Sequence, residues 1–519
     1  MEYNNPSEIV KDLSFKQVAS LGIMNGVKKL ADAVGSTLGA SGKCVIYEDA
    51  LGKPVITKDG VTVAKAVVLQ DPLENMGATL VKEAAENTVR EAGDGTTTAT
   101  VLAYSLLEEL YKLLDKESVR NLKKGVDDAS KKVFKYLDST KLEVTGDMLN
   151  NVASISCNND EELGNLIAEA YKTVGKNGVV LMEESGTEDT YLDFVDGVQF
   201  DSGLKSQHLA TDDAKENSTL DNPYILIMAS EVSNIRSIQN ILEFIIKNNK
   251  SLLIVSSVAQ QPMAALIMNK VKGNLRVNIV DVPGFGSTKR DTIEDLAALT
   301  GAVVVDESLG DDMDALNADV LGKAIKSVTN QKSTTITISE VPDEAKERID
   351  TLDKKIKDNE NPFIKTKLEQ RLAMLSGSVG IVKVGANSEV ELKEKKDRIE
   401  DAIYATKAAL QEGIVSGGGV ALLNAAKNIK PNNLCEEVLL NAIHAPFEKV
   451  LSNAGIDDYK ENLRKGMGYD VKTGKLINMV KAGIIDPVLV TKTALKNAIS
   501  VATTIISTNC VISNIRLEQ

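Results

Sequence analysis

The segment that most constrains the fold lies in the middle of the chain, where short apolar runs alternate with helical patterns. Parallel strands need crossover connections, which are usually helices. The alternation therefore predicts a parallel sheet with crossover helices. The apolar runs, rich in Ile, Leu and Val, are 223–229, 252–256, 275–282 and 302–305, and the helical segments between them are 234–248, 261–272 and 290–300.

Helical patterns precede and follow this middle segment. Apolar residues recur at three- and four-residue steps in 74–92 and 97–114, and 389–412 is predicted to be one helix that ends at Gly413. The ends thus predict one helical domain that is built from both termini, with an α/β domain inserted. Further expectations are a strand pair at 44–49 and 54–58, a charged helical hairpin at 352–375 broken near Asn361-Pro362, a mostly helical stretch at 420–507, and a final strand at 509–515.

Composition excludes several classes of function. At 519 residues the chain should hold about three domains. A net charge of −14, no Trp and only 4% aromatic residues argue against nucleic acid or an anionic membrane as a partner. The two histidines make a metal centre or a histidine-based catalytic triad improbable.

Cysteine usage and the first residues bear on location. Cys44, Cys157, Cys435 and Cys510 are scattered and form no CxxC motif, which favours a reducing compartment over a disulfide framework. Residues 1–16 carry charges and no apolar core, so we expect no signal peptide. No apolar run approaches membrane-spanning length. The expected location is the cytoplasm.

The run Gly93-Asp94-Gly95-Thr96-Thr97-Thr98 lies between two predicted helices. At a helix start the free backbone N–H groups and the positive end of the dipole favour anions, and a nearby carboxylate can hold Mg²⁺ against phosphate oxygens. The alternative is an ordinary N-cap. Capping needs only one hydroxyl, however, and three adjacent threonines are present, so phosphate binding is a competing interpretation.

Three carboxylates, Asp59, Asp94 and Asp401, each lie at a glycine turn or on a polar helix face. Asp401 is about 200° around its helix from Ile399 and so points away from the apolar side. Phosphoryl transfer needs one carboxylate for Mg²⁺ and another to orient the attacking water. For each carboxylate alone, a solvated surface charge is the competing interpretation.

Six short blocks are spread across nearly the whole chain. They are Thr37-Leu38-Gly39, Ile56-Thr57-Lys58-Asp59-Gly60-Val61, Glu74-Asn75-Met76-Gly77, Ala92-Gly93-Asp94-Gly95-Thr96-Thr97-Thr98-Ala99-Thr100, Val282-Pro283-Gly284-Phe285-Gly286 and Ser416-Gly417-Gly418-Gly419-Val420-Ala421-Leu422. In this order the blocks resemble the group I chaperonins, the GroEL family. Any one block would be weak evidence for the family, whereas the ordered set is specific.

The resemblance implies an ATP-driven folding machine that binds non-native polypeptides in an oligomeric ring. The ring would have seven members, single or double, with a co-chaperonin as a further candidate partner. ATP and Mg²⁺ are the implied cofactors, and K⁺ is a further candidate ion. The implied domains are a mostly helical equatorial ATPase domain (1–140 and 412–519), a small intermediate domain (141–195 and 380–411) and an inserted apical domain with a parallel α/β core (196–379).

The resemblance also assigns the nucleotide site. Asp94 would hold Mg²⁺, whereas Asp59 and Asp401 would position the hydrolytic water. Asp401 would reach the site only when the intermediate domain swings down. The other implied contacts are Thr37, Leu38 and Gly39 along the nucleotide, Lys58 near the phosphates, Gly95, Thr96, Thr97 and Thr98 on the phosphates, and Gly418 and Asp486 on the ribose and base.

In the apical domain, the resemblance implies an apolar surface that binds unfolded chains. Core packing is the alternative for Leu209, Leu242 and Ile267, whereas methionine favours adaptable binding because it packs against varied partners. The implied positions are Leu204, His208, Leu209, Gln239, Leu242, Met263, Ile267 and Met268.

The chain also departs from the family pattern. The family usually has Pro where Ala40 stands, and the polar His208 and Gln239 replace apolar groove positions. Glu448 and Asp457 would place two acids at the inter-ring contact, and the Gly-Gly-Met tail is missing. A ring-forming scaffold or peptide-binding module with little ATPase activity is the rival function, and a metabolite phosphotransferase lacks any small-substrate motif.

Overall fold

The computed structural model divides the chain into two compact units. Unit 1 comprises Met1–Glu169, Glu184–Thr190 and Val384–Gln519, and unit 2 comprises Ala170–Glu183 and Tyr191–Lys383. Within them the structure describes residues 11–49, 51–157, 159–175, 178–185, 187–211, 217–282, 287–311, 316–358, 368, 371–372, 374–375, 378–457, 459 and 463–514. Unit 2 is thus inserted in the sequence of unit 1. The finer division into equatorial, intermediate and apical domains stays a prediction.

Helices dominate the described residues of unit 1, and four more α-helices lie between residues 239 and 358 of unit 2. The α-helices are α1 (Lys16–Gly35), α2 (Gly60–Ala66), α3 (Pro72–Ala92), α4 (Thr96–Leu113), α5 (Val119–Thr140), α6 (Asp147–Ser156), α7 (Glu161–Val174), α8 (Gln239–Lys247), α9 (Gln260–Val271), α10 (Ser287–Thr300), α11 (Asp343–Asp358), α12 (Glu389–Glu412), α13 (Val420–Asn428), α14 (Leu434–Ala442), α15 (Ala445–Asn453) and α16 (Val488–Ile505). In the described part of the chain, no helix is long and apolar enough to cross a membrane.

The strands form several small sheets in unit 1 and two larger ones in unit 2. They are β1 (Lys11–Phe15), β2 (Val45–Glu48), β3 (Pro54–Thr57), β4 (Val179–Glu184), β5 (Tyr191–Phe200), β6 (Ser218–Asp221), β7 (Pro223–Ile227), β8 (Ser251–Val255), β9 (Arg276–Val280), β10 (Gly322–Lys323), β11 (Lys326–Thr329), β12 (Thr334–Ile338), β13 (Ser378–Val384), β14 (Ile414–Ser416), β15 (Met467–Asp470), β16 (Lys475–Asn478), β17 (Ile485–Pro487) and β18 (Cys510–Asn514).

Helices α1, α3, α4 and α16 pack together around the core of unit 1. Helix α4 contributes Leu102, Leu106 and Leu110, whose four-residue spacing places them on one buried face. Helix α3 begins at Pro72 because the Asp71 carboxylate accepts hydrogen bonds from two backbone N–H groups of its first turn. It ends at Gly93, as the sequence predicted.

The predicted final strand is confirmed as β18, and it has a partner within its own chain. Strand β18 pairs antiparallel with β1, with Lys11 opposite Asn514 and Phe15 opposite Cys510. Strand β1 was not predicted, because polar and apolar side chains alternate only weakly over its five residues. In β18 the side chain of Val511 is buried in the core, whereas Ile512 is 57% exposed.

The predicted hairpin near residue 50 is confirmed as β2 and β3, which pair antiparallel. The stretch 420–507 is less helical than expected, because it contains a second hairpin, β15–β16, and strand β17, which pairs with β14. A tight turn causes the hairpin: the N–H of Gly474 donates to the carbonyl of Asp470 at 2.8 Å, and Gly474 has a φ of +68°.

In unit 2 the predicted parallel sheet is confirmed for three of its four expected strands. Strands β7, β8 and β9 are parallel neighbours, and β10 adds antiparallel to β7. The prediction of a fourth strand at 302–305 is wrong, because within this range only Val305 forms a β-bridge, to Met228. The N–H of Val303 instead donates to the carbonyl of Val320, so the ladder does not extend.

A second sheet in unit 2 was not predicted. Its strand order is β4-β13-β5-β12-β11-β6. Strand β12 is buried at every position although three of its five residues are threonine, so its polarity concealed a core strand. For the helical hairpin predicted at 352–375, α11 starts earlier, at Asp343, and the predicted break near Asn361-Pro362 lies outside the described residues.

A buried ion cluster holds helices α10 and α11 together in unit 2. The Asp295 side chain is 0% exposed. Its Oδ1 accepts from Nε of Arg348 at 3.0 Å, and its Oδ2 accepts from Nε of Arg371 at 2.8 Å. Removing one partner of a buried pair leaves uncompensated charge, which destabilises far more than the loss of a surface pair.

We therefore expect Asp295→Ala to lower the free energy of unfolding by about 3–5 kcal/mol, because two guanidinium groups lose their buried partner. Urea unfolding followed by far-UV circular dichroism would measure the loss. Lys346→Ala is the matched control, since it removes an ion pair with Asp343 whose side chains are 62% and 95% exposed. Equal stability of the two variants would contradict a structural role for the cluster.

Candidate functional site

A single cavity of about 1220 Å³ in unit 1 collects every residue that the sequence assigned to nucleotide binding and catalysis. Their roles stay predictions, but the structure brings these distant segments together. The assigned residues that line the cavity are Thr37, Leu38, Gly39, Lys58, Asp59, Asp94, Gly95, Thr96, Thr97, Thr98, Asp401, Gly418 and Asp486.

The loop between α3 and α4 has the backbone expected of an anion site. Gly93 and Gly95 have φ values of +79° and +98°, a region that favours glycine. Gly95 is the N-cap of α4 and has no side chain to cap it. The capping interpretation of the threonines is therefore wrong for this helix start. The N–H groups of the first turn of α4 point toward the cavity end of the helix, where anions bind.

Asp59 both caps a helix and lines the cavity. Its carboxylate accepts hydrogen bonds from the N–H of Val61 at 3.1 Å and of Thr62 at 2.7 Å, which fixes the start of α2. The next residue, Gly60, lies against Thr97, since a Cβ on Gly60 would be 2.3 Å from Thr97 Oγ1. This close approach holds the Asp59 turn beside the first turn of α4.

Asp401 reaches the cavity because α12 packs directly on the Gly93 turn. A Cβ on Gly93 would lie 2.2 Å from the Cβ of Tyr404, so only glycine allows this approach. Tyr404 and Asp401 are three residues apart and share one helix face. The same contact therefore places the Asp401 carboxyl beside the Asp94 loop, which the sequence alone did not establish.

Burial, with repulsion from nearby carboxyl groups, raises the pKa of three carboxyls in the cavity. Burial raises the pKa of Asp94, and repulsion from Asp59 adds to it. Burial, followed by repulsion from Asp94 and Asp59, raises the pKa of Asp401 well above its usual range. Burial together with repulsion from Asp94 raises the pKa of Asp486 to about 7, although N–H groups of two glycines donate to it. The surface-charge interpretation is thus wrong for Asp94 and Asp401.

Mutually repelling buried carboxyls form an environment that a cation would stabilise. No group of three or more His, Cys, Asp or Glu side chains is placed to hold a metal ion among the described residues. Mg²⁺ is commonly bound by one or two carboxylates together with substrate phosphates, so this arrangement fits Mg²⁺ held jointly with a nucleotide. Asp94 is the carboxylate nearest the helix start that would hold those phosphates.

Two further loops complete the cavity wall. The side-chain amide of Asn453 donates to the carbonyls of Gly35 and Leu38, both at 2.9 Å, which anchors the loop after α1. On the other side, the N–H groups of Gly418 and Gly419 hold the Asp486 carboxyl. Ala40, where the family usually has Pro, also lines the cavity.

Sequence reasoning missed other cavity residues. Arg398 lines the cavity and lies three residues before Asp401, a spacing on α12 that could have identified it. Asn151 of α6 also lines the cavity, but no motif marked it. Tyr469 and Val471 belong to the hairpin β15–β16, which the sequence placed in a mostly helical stretch, so they could not be assigned.

In unit 2 the predicted polypeptide-binding residues separate by burial. Leu209 and Leu242 are 0% and 9% exposed and belong to the core around the parallel sheet, so the core-packing interpretation describes them. Leu204, Met263 and Ile267 are partly buried against the same core. His208, Gln239 and Met268 are exposed.

Helices α8 and α9, which carry Leu242 and Met268, also carry two exposed apolar side chains that were not predicted. Ile246 near the end of α8 is 50% exposed, and Val271 at the end of α9 is 69% exposed. Helices α8 and α9 are consecutive crossovers between parallel neighbours, so the right-handed rule places both on one face of the sheet. Ile246, Met268 and Val271, hereafter the exposed apolar set, therefore occur on adjacent helices.

Three other expectations concern the inter-ring contact, the Val282–Gly286 block and the C-terminal tail. Glu448 on α15 and Asp457 after it are both exposed, and the inter-ring role inferred for them stays a prediction. Residues 283–286 of the Val282–Gly286 block lie outside the described residues. The C-terminal tail after Asn514 lies outside them as well.

Two solved structures of chaperonin gp146 from bacteriophage EL 2 (Pseudomonas aeruginosa), both in the presence of ATP-BeFx, are similar to this chain. Crystal form II has a TM-score of 0.73 at 20% sequence identity and covers 96% of this chain and 98% of that chain. Crystal form I has a TM-score of 0.65 at 20% identity and covers 97% and 99%. At this identity the similarity establishes the fold, and the predicted fold class is confirmed.

The sequence itself matches a family across both units. Residues 30–516 match the TCP-1/cpn60 chaperonin family. The matched range contains every residue that lines the cavity and the helices of unit 2 that carry the exposed apolar set. The chain therefore belongs to the TCP-1/cpn60 chaperonin family.

Proposed function

We propose that this chaperonin hydrolyses ATP and couples hydrolysis to the folding of non-native polypeptides. One observation carries the proposal: Asp59, Asp94 and Asp401, from three separated segments, meet in one cavity beside an uncapped helix start. The presence of ATP-BeFx in the related gp146 structures supports a nucleotide as the occupant. The rival, a scaffold with little ATPase activity, has no need for this arrangement.

In this proposal each residue has a distinct task. The first-turn N–H groups of α4, with Thr97 and Thr98, bind phosphate oxygens. Mg²⁺, when bound at Asp94, neutralises phosphate charge. Asp401 orients the attacking water and accepts its proton, a task for which a carboxyl with a raised pKa is suited. Asp59, fixed by its two N–H donors, helps to orient the same water.

We also propose the family's division of labour among domains. The helical part of unit 1 would be the equatorial ATPase domain, and residues 141–195 and 380–411 would be the intermediate domain that carries Asp401. Residues 196–379 would be the apical domain. The structure has Asp401 lining the cavity, which is the arrangement needed for hydrolysis. Four free cysteine thiols support the cytoplasm as its location.

Polypeptide binding is proposed for the exposed faces of α8 and α9. The exposed apolar set, which includes a methionine, supplies adaptable apolar contacts. Isolated exposed apolar residues are common, but their clustering on adjacent helices is typical of binding surfaces. His208 and Gln239 add polar contacts at the same surface. A co-chaperonin would compete for this surface.

Ring assembly is proposed through the two small sheets of unit 1. On β1–β18, Leu13 and Ile512 lie opposite each other and are 51% and 57% exposed. On β2–β3, Ile46 and Ile56 also lie opposite each other and are 67% and 64% exposed. Each two-stranded sheet has edges that can accept a further strand, so β18 of one copy can join the hairpin of the next.

The first prediction concerns hydrolysis. Asp401→Asn should lower the rate of ATP turnover by about 10²–10³-fold, because it removes water positioning and the proton acceptor. The Kd for ATP should stay within a few-fold, since phosphate and Mg²⁺ contacts remain. Glu400→Gln is the control, because it makes the same charge change on a neighbouring residue that does not line the cavity. Turnover in Asp401→Asn within a few-fold of wild type would reject its assigned role.

The second prediction concerns polypeptide capture. Met268→Glu should abolish the suppression of aggregation of a denatured client, since it puts a charge in the exposed apolar set. ATP turnover should persist, because the cavity is in unit 1. Val303→Glu is the matched control: Val303 is 55% exposed in unit 2 but lies outside α8 and α9. Equal suppression by Met268→Glu and wild type would rule out this surface.

The third prediction concerns assembly. Ile512→Asp should shift the sedimentation coefficient from ring to monomer, because it charges the exposed face of the β1–β18 pair. This change is sharper than deleting the residues after Thr508, which would also remove Val511 from the core. Leu434→Asp is the control, with a similar exposure of 58% elsewhere in unit 1. A ring that survives Ile512→Asp would refute strand-mediated assembly.

A further inference from the structure

We propose that Arg398 donates hydrogen bonds from its guanidinium to the transferring phosphoryl group, and so acts as a second catalytic side chain on α12. This inference rests on the proposed ATP hydrolysis. Arg398 and Asp401 are three residues apart on one helix face, and both line the cavity. It is the one arginine among the cavity residues that the structure describes.

The contacts of Arg398 use only part of its donor capacity. Its Nη2 donates to Glu394 Oε2 at 2.6 Å, and its Nη1 forms a longer ion pair of 3.7 Å with Asp160 Oδ2. Its Nε is buried and has no hydrogen-bond partner among the described residues. A buried donor without a partner is costly, particularly on a charged group, so the protein retains it at a free-energy penalty.

Lys58 is another cation that lines the cavity. Burial lowers the pKa of Lys58 most, the nearby Cys44 and Glu394 act to raise it, and repulsion from Arg398 acts to lower it. Two cations that repel each other are both stabilised when a multivalent anion lies between them. The planar fork of arginine matches two phosphate oxygens at once, which an ammonium cannot do. A nucleotide polyphosphate is the anion that the proposed function supplies.

The bond changes during ATP hydrolysis explain why a guanidinium is useful at this position. The oxygen of the attacking water forms a bond to the γ-phosphorus, the bond from the γ-phosphorus to the β–γ bridging oxygen breaks, and the water proton passes to the Asp401 carboxylate. Negative charge is spread over the equatorial oxygens in the transition state and remains on the leaving diphosphate. A guanidinium placed at those oxygens stabilises the transition state more than the bound substrate.

The position of Asp401 and Arg398 on the same helix, α12, has a consequence for the mechanism. Asp401 acts on the water, and Arg398 acts on the phosphoryl oxygens, so a single helix carries two complementary parts of the site. Both are positioned by the same packing of α12 on the Gly93 turn. The arginine would therefore add rate only in the conformation in which Asp401 is also in place.

The test compares Arg398→Gln with the wild-type protein. Calorimetry gives the Kd for each nucleotide complex, and an activity assay gives the rate of ATP turnover. We expect turnover to fall about 10²–10³-fold, since arginine donors to a transferring phosphoryl group contribute at least this much. The Kd for ADP should change less than about threefold, whereas the Kd for ADP with aluminium fluoride, a transition-state mimic, should rise at least about tenfold. Millimolar guanidinium should restore part of the turnover of Arg398→Ala.

Two controls separate this role from a structural one. Lys396→Gln makes the same charge change on α12, where Lys396 pairs with Glu184, and should turn over at the wild-type rate. Asp160→Asn removes the longer ion pair but keeps the guanidinium, and should retain most of the turnover.

Three results would overturn the inference: wild-type turnover in Arg398→Gln, an equal loss of affinity for ADP and for the mimic, or a full loss in Asp160→Asn. A different failure, wild-type protein that binds ATP but does not hydrolyse it, would reject the proposed ATPase itself. Circular dichroism of each variant would establish that it folds. A folded Arg398→Ala that guanidinium does not rescue, and whose affinity for the mimic is unchanged, would also reject the role.

Discussion

The contact between Gly93 and Tyr404 is the constraint on which the cavity depends. Because Gly93 has no side chain, α12 approaches the loop between α3 and α4 to within a distance that any Cβ would prevent. The same turn has a positive φ, so its backbone and its lack of a side chain are needed together. Without this approach, Asp401 and Arg398 would lie away from Asp94.

The packing of α12 on the Gly93 turn has an electrostatic cost, and this cost indicates a functional role for the carboxyl groups that it brings together. Burial raises the pKa of Asp401 well above its usual range, and the neighbouring Asp94 carboxyl raises it further because it disfavours a second negative charge. A core built for stability alone would avoid such a cluster, since well-packed apolar residues would be at least as stable. Perturbed carboxyls in a cavity are instead typical of sites that bind cations and move protons.

Local sequence signals predicted the parts of the structure that depend on nearby residues. Helix α3 was predicted to its last residue because Gly93 ends it, and the parallel strands followed from apolar runs separated by helices. Long-range events were not predictable in this way. The convergence of Asp401 on Asp94 depends on packing between residues 307 positions apart (401 − 94), and the resemblance, rather than periodicity, first joined them.

The errors have physical causes of the same kind. Strand β12 is buried yet rich in threonine, so polarity hid it. Leu209 and Leu242 matched positions of an exposed surface but pack in the core, while Ile246, on the same helix as Leu242, and Val271 at the end of α9 are exposed. A motif places a residue on an element, but the orientation of that element decides which side chains face solvent.

The pairing of β1 with β18 sets the order in which the chain can fold during synthesis. Residues 11–15 are synthesised long before their strand partner, 510–514. Unit 2 lies entirely between them, and its described strands pair with one another, so it can fold while translation continues. Helix α16, which packs on α3 and α4, also arrives late. Unit 1 therefore closes only after residues 510–514 have been synthesised, and until then its apolar helices need protection from aggregation, so this chaperonin is itself exposed to the hazard that chaperonins relieve.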